Sequence, residues 1–265
     1  MKSVPFTSCR TARGLALVAG ALLFLTSVVS ANVTAAAPET TWDRAEIWAP
    51  PAIAGVFRTN MDDGALHTRL LEKGVKLPTV VFLHGCTPGR KPAGWTMGRT
   101  LARAGYAVIL PDSFLRTDRP ATCNRWTFEP VANTDRHAVL ALRQEEIALA
   151  LDRVRALPWV DDKNLFLMGY DEGADALAAW HGAGVNARVL ISTRCPIGLN
   201  APHTPTLTLG GTDDVIDCVQ PLSACASQGP TEQVNFETTF HDLTGLPAAR
   251  EEILAFLARH RAKSQ

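Results

Sequence analysis

The sequence predicts an α/β protein in which helices cover both faces of a mostly parallel, doubly wound sheet. Two observations lead to this fold class. Short apolar runs alternate with longer segments of helical periodicity along most of the chain, as expected for repeated strand-helix-strand units. The central runs, such as residues 79–83, are apolar and β-branched at consecutive positions, which is typical of parallel strands covered on both faces.

The predicted elements follow one another without an internal repeat. Lead-in strands are expected in two regions: residues 45–60, an apolar patch broken by Pro50-Pro51, and residues 65–71, whose alternation of apolar and polar residues indicates an edge strand. The segment 114–134, rich in Arg, Pro and Asn, is predicted to be a long loop at a pocket rim. Buried strands are predicted at 79–83, 106–110, 164–168, 187–192 and 206–209, a last strand at 235–240, and helices at 93–104, 137–157, 173–181 and 247–260.

The N-terminus carries the pattern of a secretory signal. Three basic residues precede an apolar run over residues 15–29, and Val29-Ser30-Ala31 supplies small residues at a cleavage point. We therefore expect residues 1–31 to be a signal peptide and residues 32–265 to form one domain that is secreted or periplasmic. The alternative is an uncleaved membrane anchor; after cleavage, no membrane partner is expected.

Charge composition and cysteine content bound the kind of partner. The chain has 26 basic and 26 acidic residues, so there is no electrostatic case for nucleic acid, and a small-molecule substrate is expected. The sequence does not indicate the oligomeric state.

The cysteine spacings do not match a zinc site, so neither a metal nor another cofactor is expected. In an oxidising compartment we expect Cys86 to pair with Cys123, and Cys195 with Cys218 or Cys225; unpaired buried cysteines are the alternative.

The segment Gly169-Tyr170-Asp171-Glu172-Gly173 has the frame of a nucleophile elbow, G-x-S-x-G, between a buried strand and a helix. Such a turn lifts one side chain clear of the sheet, and the two glycines let the strand and the helix pass closely. Asp171 occupies the position where Ser or Cys is usual. A carboxylate there can attack an alkyl carbon to form an ester, whereas attack on an acyl carbon would give a reactive mixed anhydride.

Three polar residues follow predicted strands in the order nucleophile, acid, histidine: Asp171, Asp213 and His241. This is the chain order of α/β-hydrolases, in which the three loops meet at the carboxyl edge of the sheet. His241 would act as the base, and Asp213 would orient its imidazole, with Asp214 as the alternative acid. The backbone N–H groups of Cys86 and Glu172 are expected to form the oxyanion hole.

Several short motifs resemble the dienelactone hydrolase family of α/β-hydrolases over roughly residues 78–260. They are Leu83-His84-Gly85-Cys86, Gly105-Tyr106-Ala107-Val108, Pro111-Asp112-Ser113-Phe114, the elbow, Gly211-Thr212-Asp213-Asp214 and His241. The resemblance implies an α/β-hydrolase fold and the hydrolysis of a small ester, lactone or similar electrophile. A large cap is not expected, because only about 35 residues separate Asp171 from the predicted strand at 206–209, and a helix and a strand already occupy them. The family holds Cys, or in close relatives Ser, at the position of Asp171.

Other interpretations of the same residues stay open. Asp171 could be a helix-capping residue in a binding protein that has lost its nucleophile. A dehalogenase-type hydrolase also uses Asp at the elbow, but such enzymes commonly have Trp where this chain has Glu172, whose charge would repel a halide. The loop arginines Arg116, Arg119 and Arg125 are candidates for contact with an anionic substrate.

Overall fold

The computed structural model describes residues 38–55, 57–87, 92–124, 129, 131–194, 199, 203–212, 214 and 231–262. The predicted signal peptide, residues 1–31, lies outside these residues. Within them no helix is both long and apolar enough to cross a membrane. The described strands are β1 Glu46–Trp48, β2 Arg58–Asn60, β3 Leu77–Leu83, β4 Ala107–Leu110, β5 Val160–Tyr170, β6 Ala187–Ile191, β7 Thr206–Gly211 and β8 Thr231–Phe236. The described α-helices are α1 Glu39–Asp43, α2 Pro51–Ala54, α3 Gly64–Glu72, α4 Pro92–Arg103, α5 Arg136–Arg155, α6 Glu172–Ala179 and α7 Pro247–Arg259.

The strands form one sheet in the order β2-β1-β4-β3-β5-β6-β7-β8. Strand β1 is antiparallel to both β2 and β4, whereas the pairs from β4 through β8 are parallel. The mostly parallel α/β sheet that the sequence predicts is therefore confirmed. All carboxyl ends of the parallel strands point to one edge, and ligand sites of such sheets lie at that edge.

Two apolar cores lie on opposite faces of the sheet because neighbouring residues of a strand point to opposite sides. On β3, Val81 and Leu83 belong to one core, and Val80 and Phe82 belong to the other. Helices α1, α2, α3, α5 and α6 contribute to the first core, and helices α4 and α7 contribute to the second. This two-sided burial explains why the central strands have no polar face.

Two predicted elements differ from the structure. Residues 65–71 form most of helix α3 and not an edge strand: Asp63 caps the helix by accepting hydrogen bonds from the N–H groups of Ala65 and Leu66. Leu66 and Leu70, one turn apart, are the side chains that this helix buries. The last strand is β8, Thr231–Phe236, so the predicted range 235–240 lies too late in the chain. His241 therefore belongs to the loop that follows β8.

Candidate active site

Asp171 occupies a strained turn between β5 and α6. Its φ of 51° and ψ of −120° lie in a region that residues other than glycine rarely adopt. A Cβ atom on Gly173 would lie 2.2 Å from the carbonyl oxygen of Leu83, and one on Gly169 would lie 2.5 Å from the carbonyl oxygen of Gly173. The two glycines thus permit the close crossing of strand and helix that holds Asp171 at the sheet edge.

The two oxygens of the Asp171 carboxylate face different groups. Oδ2 accepts a hydrogen bond of 2.9 Å from the backbone N–H of Cys86. Oδ1 lies 3.7 Å from Nε2 of His241 and 3.5 Å from a terminal nitrogen of Arg194. The side chain is 8% exposed. One oxygen is therefore bound by the Cys86 N–H, a donor that the sequence predicts for an oxyanion hole, and the other faces the imidazole.

His241 is contacted by groups at or just after the carboxyl ends of strands β5, β6 and β7. Its Nδ1 lies 2.6 Å from Oδ2 of Asp214, and its carbonyl oxygen accepts a hydrogen bond from the hydroxyl of Ser192. The Tyr170 ring packs beside the imidazole, with ring centroids 5.4 Å apart. Asp214, the alternative acid of the sequence prediction, thus contacts the histidine. Asp213, the acid first predicted, lies outside the described residues.

Electrostatics make His241 a cation and Asp171 an anion in the resting site. Burial by itself would lower the pKa of His241, but the charges of Asp171 and Asp214 and the hydrogen bond to Asp214 outweigh it and raise this pKa to about 10. Burial likewise would raise the pKa of Asp171, but His241, Arg194 and the Cys86 N–H together lower it below its ordinary value. The histidine therefore lies between two carboxylates as an imidazolium, which donates protons.

A pH titration followed by NMR is expected to show this charge state. The His241 imidazole should lose its proton near pH 10, whereas His260, whose pKa burial lowers, should titrate below 6.5 in the same spectra. The unfolded chain has a histidine pKa of about 6.5. The contribution of protonated His241 to the unfolding free energy is thus complete below that pH and is lost as the pH rises through about 10. A His241→Gln spectrum assigns the resonance, and a His241 pKa near 6.5 would contradict the ion pair.

Arg194 and Asp175 join the site although neither was predicted. The carboxylate of Asp175 accepts bonds from Nε of Arg194 at 2.9 Å and from one of its terminal nitrogens at 2.5 Å. The same terminal nitrogen lies beside Asp171. Burial raises the pKa of Asp175, with Asp171 adding to the shift and Arg194 opposing it. Two signals could have found these residues: Asp175 lies one helical turn after Asp171, and Arg194 follows a parallel strand at its carboxyl end.

Glu172 is buried and paired inside the protein. Its carboxylate accepts bonds from Arg119 and from the hydroxyl of Thr122. The negative charge of Glu172, which alone would repel a halide, is thus balanced by Arg119. Glu172 is also the first residue of α6, so its backbone N–H is one of the four that have no acceptor within the helix.

Arg116 and Arg119, which were candidates for contact with an anionic substrate, are buried and bind other side chains of the protein. Arg116 is buried, binds Asp118 through two nitrogens and also binds Glu145. Arg119 is buried beside Glu172, and its guanidinium lies 4.3 Å from the centre of the Phe114 ring. Both charges are thus engaged by the protein's own side chains. Arg125 lies outside the described residues.

A disulfide joins Cys86 to Cys123, as predicted, and cross-links two loops of the site. One loop carries the N–H that binds Asp171, and the other carries Thr122, which binds Glu172. The two sulfurs and an Asp171 oxygen lie within 4.8 Å of one another, but sulfurs bonded to each other are not thiolate ligands for a metal. Cys195, Cys218 and Cys225 lie outside the described residues.

Replacing Cys86 and Cys123 by serine together is expected to lower the unfolding free energy by about 3 kcal/mol. The bridge spans 37 residues, and cross-links of this span restrict the unfolded chain by an amount of that order. Urea denaturation measures the change. As a control, a reductant should destabilise the unaltered protein by about this amount more than it destabilises the double variant, because any bridge among Cys195, Cys218 and Cys225 is reduced in both proteins. Equal destabilisation of the two proteins by the reductant would contradict a stabilising Cys86–Cys123 bridge.

A buried polar network supports the turn that carries Cys86. His84 accepts a bond from the N–H of Ser113 at Nε2, so its Nδ1 carries the proton and donates to the carbonyl oxygen of Gly85. Arg143 donates to the carbonyl oxygen of His84 and pairs with Glu146, which accepts a bond from the hydroxyl of Ser113. His84 is therefore a neutral residue that shapes the turn.

Comparison with known proteins identifies the architecture. No protein-family model matches the chain, and no curated protein matches it in sequence. A ferulic acid esterase from Streptomyces cinnamoneus is similar in structure, with a TM-score of 0.52 and 18% identity over 71% of this chain and 68% of that chain. A protein assigned as a dienelactone hydrolase from Klebsiella pneumoniae has a TM-score of 0.52 and 16% identity, over 81% of this chain and 98% of that chain. A thermostable carboxylesterase from a metagenomic library has a TM-score of 0.50 and 13% identity, over 71% of this chain and 80% of that chain.

These likenesses establish the fold. The shared feature is a mostly parallel sheet with helices on both faces. The elbow after β5, the carboxylate at Asp214 and the histidine at His241 lie at one edge of that sheet and in the chain order of the same architecture. The protein has the α/β-hydrolase fold.

Proposed function

We propose that the protein is a hydrolase in which Asp171 attacks a small ester, lactone or similar electrophile and forms a covalent ester. One observation carries the proposal: Oδ2 of Asp171 is bound by the Cys86 N–H while Oδ1 faces His241, which Asp214 orients. This division of the two oxygens is what a carboxylate nucleophile needs. The names of the structural neighbours, two esterases and one dienelactone hydrolase, support the substrate class.

In the first step, Oδ1 of Asp171 attacks an electrophilic alkyl carbon of the substrate, and the bond between that carbon and the leaving oxygen breaks. The leaving oxygen of an ester or lactone departs as a carboxylate, which is too weak a base to take the proton of His241, so the imidazolium stabilises its charge and loses its proton to solvent once Asp171 is an ester. The raised pKa of His241 supports this order, because the imidazolium is the form present at neutral pH while Asp171 is charged. Asp171 is then an alkyl ester and carries no charge.

In the second step, neutral His241 removes a proton from water, and the hydroxide attacks Cγ of Asp171. The negative charge develops on Oδ2, where the Cys86 N–H already donates and the Glu172 N–H begins helix α6. Collapse of this intermediate releases the alcohol and restores both the carboxylate and the imidazolium. Esterification removes one of the two charges that raise the His241 pKa, so histidine serves as a base only at this stage.

Direct activation of water by Asp171 and His241 is the second version of the reaction. In that version Asp171 stays ionised, so His241 keeps its proton and accepts none. Asp171, whose pKa is lowered, is a weak base. The electrostatics therefore favour the covalent version.

A single turnover in ¹⁸O-labelled water tests the proposal. The purified protein, in excess, is mixed with members of an ester, lactone, haloacid and epoxide panel, and the peptide containing Asp171 is analysed by tandem mass spectrometry. Label in the Asp171 carboxylate is the expected result, and Asp175 in the same digest is the internal control. Turnover without label would overturn the covalent step in favour of direct water activation. Absence of turnover with every substrate would favour a non-catalytic binding protein, and turnover restricted to the haloacid would favour a dehalogenase.

Asp214 and Asp213 form a matched pair for a second test. The Asp214→Asn change is expected to lower kcat/KM by about 10³-fold or more, because His241 loses the carboxylate that orients Nδ1 and stabilises its cation. The Asp213→Asn variant is the control and should retain activity within a few-fold of the unaltered protein. The reverse ranking would make Asp213, the acid first predicted, the orienting residue.

We also propose that the enzyme acts after export and on a small-molecule substrate. The signal pattern over residues 1–31 and the Cys86–Cys123 bridge support an oxidising compartment outside the cytoplasm. Sequencing the N-terminus of the protein recovered from its exporting host tests this localisation. A first residue at Asn32 is expected, and retention of Met1 would indicate an anchor instead.

A further inference from the structure

A groove on the outer face of α4 collects three arginine side chains. Its volume is about 450 Å³, and it is lined in part by Trp95, Arg99 and Arg103 of α4 and by Arg250 of α7. None of its lining residues belongs to the Asp171 site. The groove is therefore a separate feature of the surface.

The helical repeat explains how one helix supplies most of this surface. Trp95, Arg99 and Arg103 are spaced four residues apart, so they share one side of α4, and all three are exposed. Met97 and Leu101, on the other side of the helix, are buried in the core. The core thus fixes the helix, and the helix presents the two arginines in a row.

The positive charge in the groove is not balanced by its own lining. No lining residue is acidic. Among the residues that the structure describes, Arg250 donates only to the carbonyl oxygens of Thr244 and Gly245, which carry no net charge. The Arg103 guanidinium lies 5.8 Å from the centre of the Phe57 ring, and within the described part of the chain Arg99 has no hydrogen-bond or ion-pair partner.

From these features we infer that the groove binds a phosphate-bearing anion. A guanidinium presents a rigid fork of donors that matches tetrahedral oxyanions, and three of them suit a group of more than one negative charge. The Thr96 and Thr100 hydroxyls also line the groove, and Trp95, 37% exposed, offers an apolar surface to the carbon part of the ligand. The volume fits a phosphorylated small molecule or a phospholipid headgroup.

Calorimetric titration with inorganic phosphate at constant ionic strength tests the inference. The double change Arg99→Gln and Arg103→Gln is expected to weaken binding at least tenfold. The matched control is Arg153→Gln, because Arg153 is an exposed arginine in the last turn of α5 and should leave binding unchanged. Thermal unfolding of each variant confirms that the fold is retained. Equal weakening in the control would overturn the inference, because binding would then be nonspecific.

Co-sedimentation with lipid vesicles separates the two sources of phosphate. Phosphatidylglycerol vesicles that bind the protein, with phosphatidylcholine vesicles as the reference, identify a lipid headgroup, whereas binding of glycerol phosphate alone identifies a soluble ester. Either result supports the inference if the Arg99→Gln and Arg103→Gln double variant no longer binds the same probe. Binding that the double variant retains, or no binding to any of these probes, overturns it. Both measurements work equally on an Asp171→Asn background, so they do not depend on the proposed hydrolysis.

Discussion

Replacing Asp171 with asparagine is expected to lower kcat/KM on the order of 10⁴-fold, the scale of loss seen when a nucleophile or its partner is removed. An amide neither attacks carbon nor stabilises the His241 cation, so both steps of the proposed reaction fail. Asparagine is among the residues that best tolerate the positive φ at this position, so the fold should persist. Steady-state kinetics on the best substrate of the panel measures the effect.

Asp152→Asn is the control for this substitution, since Asp152 is exposed on α5 and the same atoms change. It should leave kcat/KM unchanged. The NMR titration gives an independent readout, because loss of the Asp171 charge should lower the His241 pKa from about 10 toward its ordinary value. An Asp171→Asn variant that keeps more than a tenth of the activity would refute the role of the carboxylate.

Replacing Gly173 with alanine is expected to lower the unfolding free energy by about 3 kcal/mol. The added Cβ would lie 2.2 Å from the carbonyl oxygen of Leu83, and it cannot rotate away because it is fixed to the backbone. Relief requires that α6 move away from the turn after β3. That movement would also separate Asp171 from the Cys86 N–H, so activity should fall with stability. Urea denaturation and kinetics on the same preparation measure both.

Gly64→Ala provides the matched control for the crowding at the elbow. Gly64 is the first residue of α3, and a Cβ there would have no heavy atom within 4 Å. Its unfolding free energy should stay unchanged or rise by up to about 1 kcal/mol, because alanine favours the helix and restricts the unfolded chain. Equal destabilisation by both changes would mean that the close crossing at Gly173 carries no special cost.

Most of the sheet could be predicted because a strand that is buried on both faces has apolar residues at consecutive positions, which the sequence shows directly. The run at β3 and the strand before Asp171 are apolar at consecutive positions, and each was recognised from these residues. The segment 65–71 misled the prediction, because seven residues of alternating character are too few to separate a strand from a helix. Asp63, which lies just before that segment, caps the helix, and a capping residue at that position is a sequence signal for the start of a helix.

The sequence predicted only those site residues that lie at strand ends and follow the expected chain order. Asp171 and His241 lie at strand ends and were found by that rule. Ser192 also follows a strand, but serine after a strand is too common to stand out, and its bond to the His241 carbonyl spans 49 residues. Contacts of that range leave no local pattern in the sequence.

The sequence by itself determined the doubly wound sheet, the elbow and the residue that stands in it, because these depend on local burial and on glycine. Only the tertiary structure decided what surrounds that residue. It brought Arg194 and Asp175 to Asp171, paired Glu172 with Arg119, and enclosed His241 between two carboxylates that raise its pKa to about 10. The physical reason is that charge state depends on burial and on distances between groups far apart in the chain.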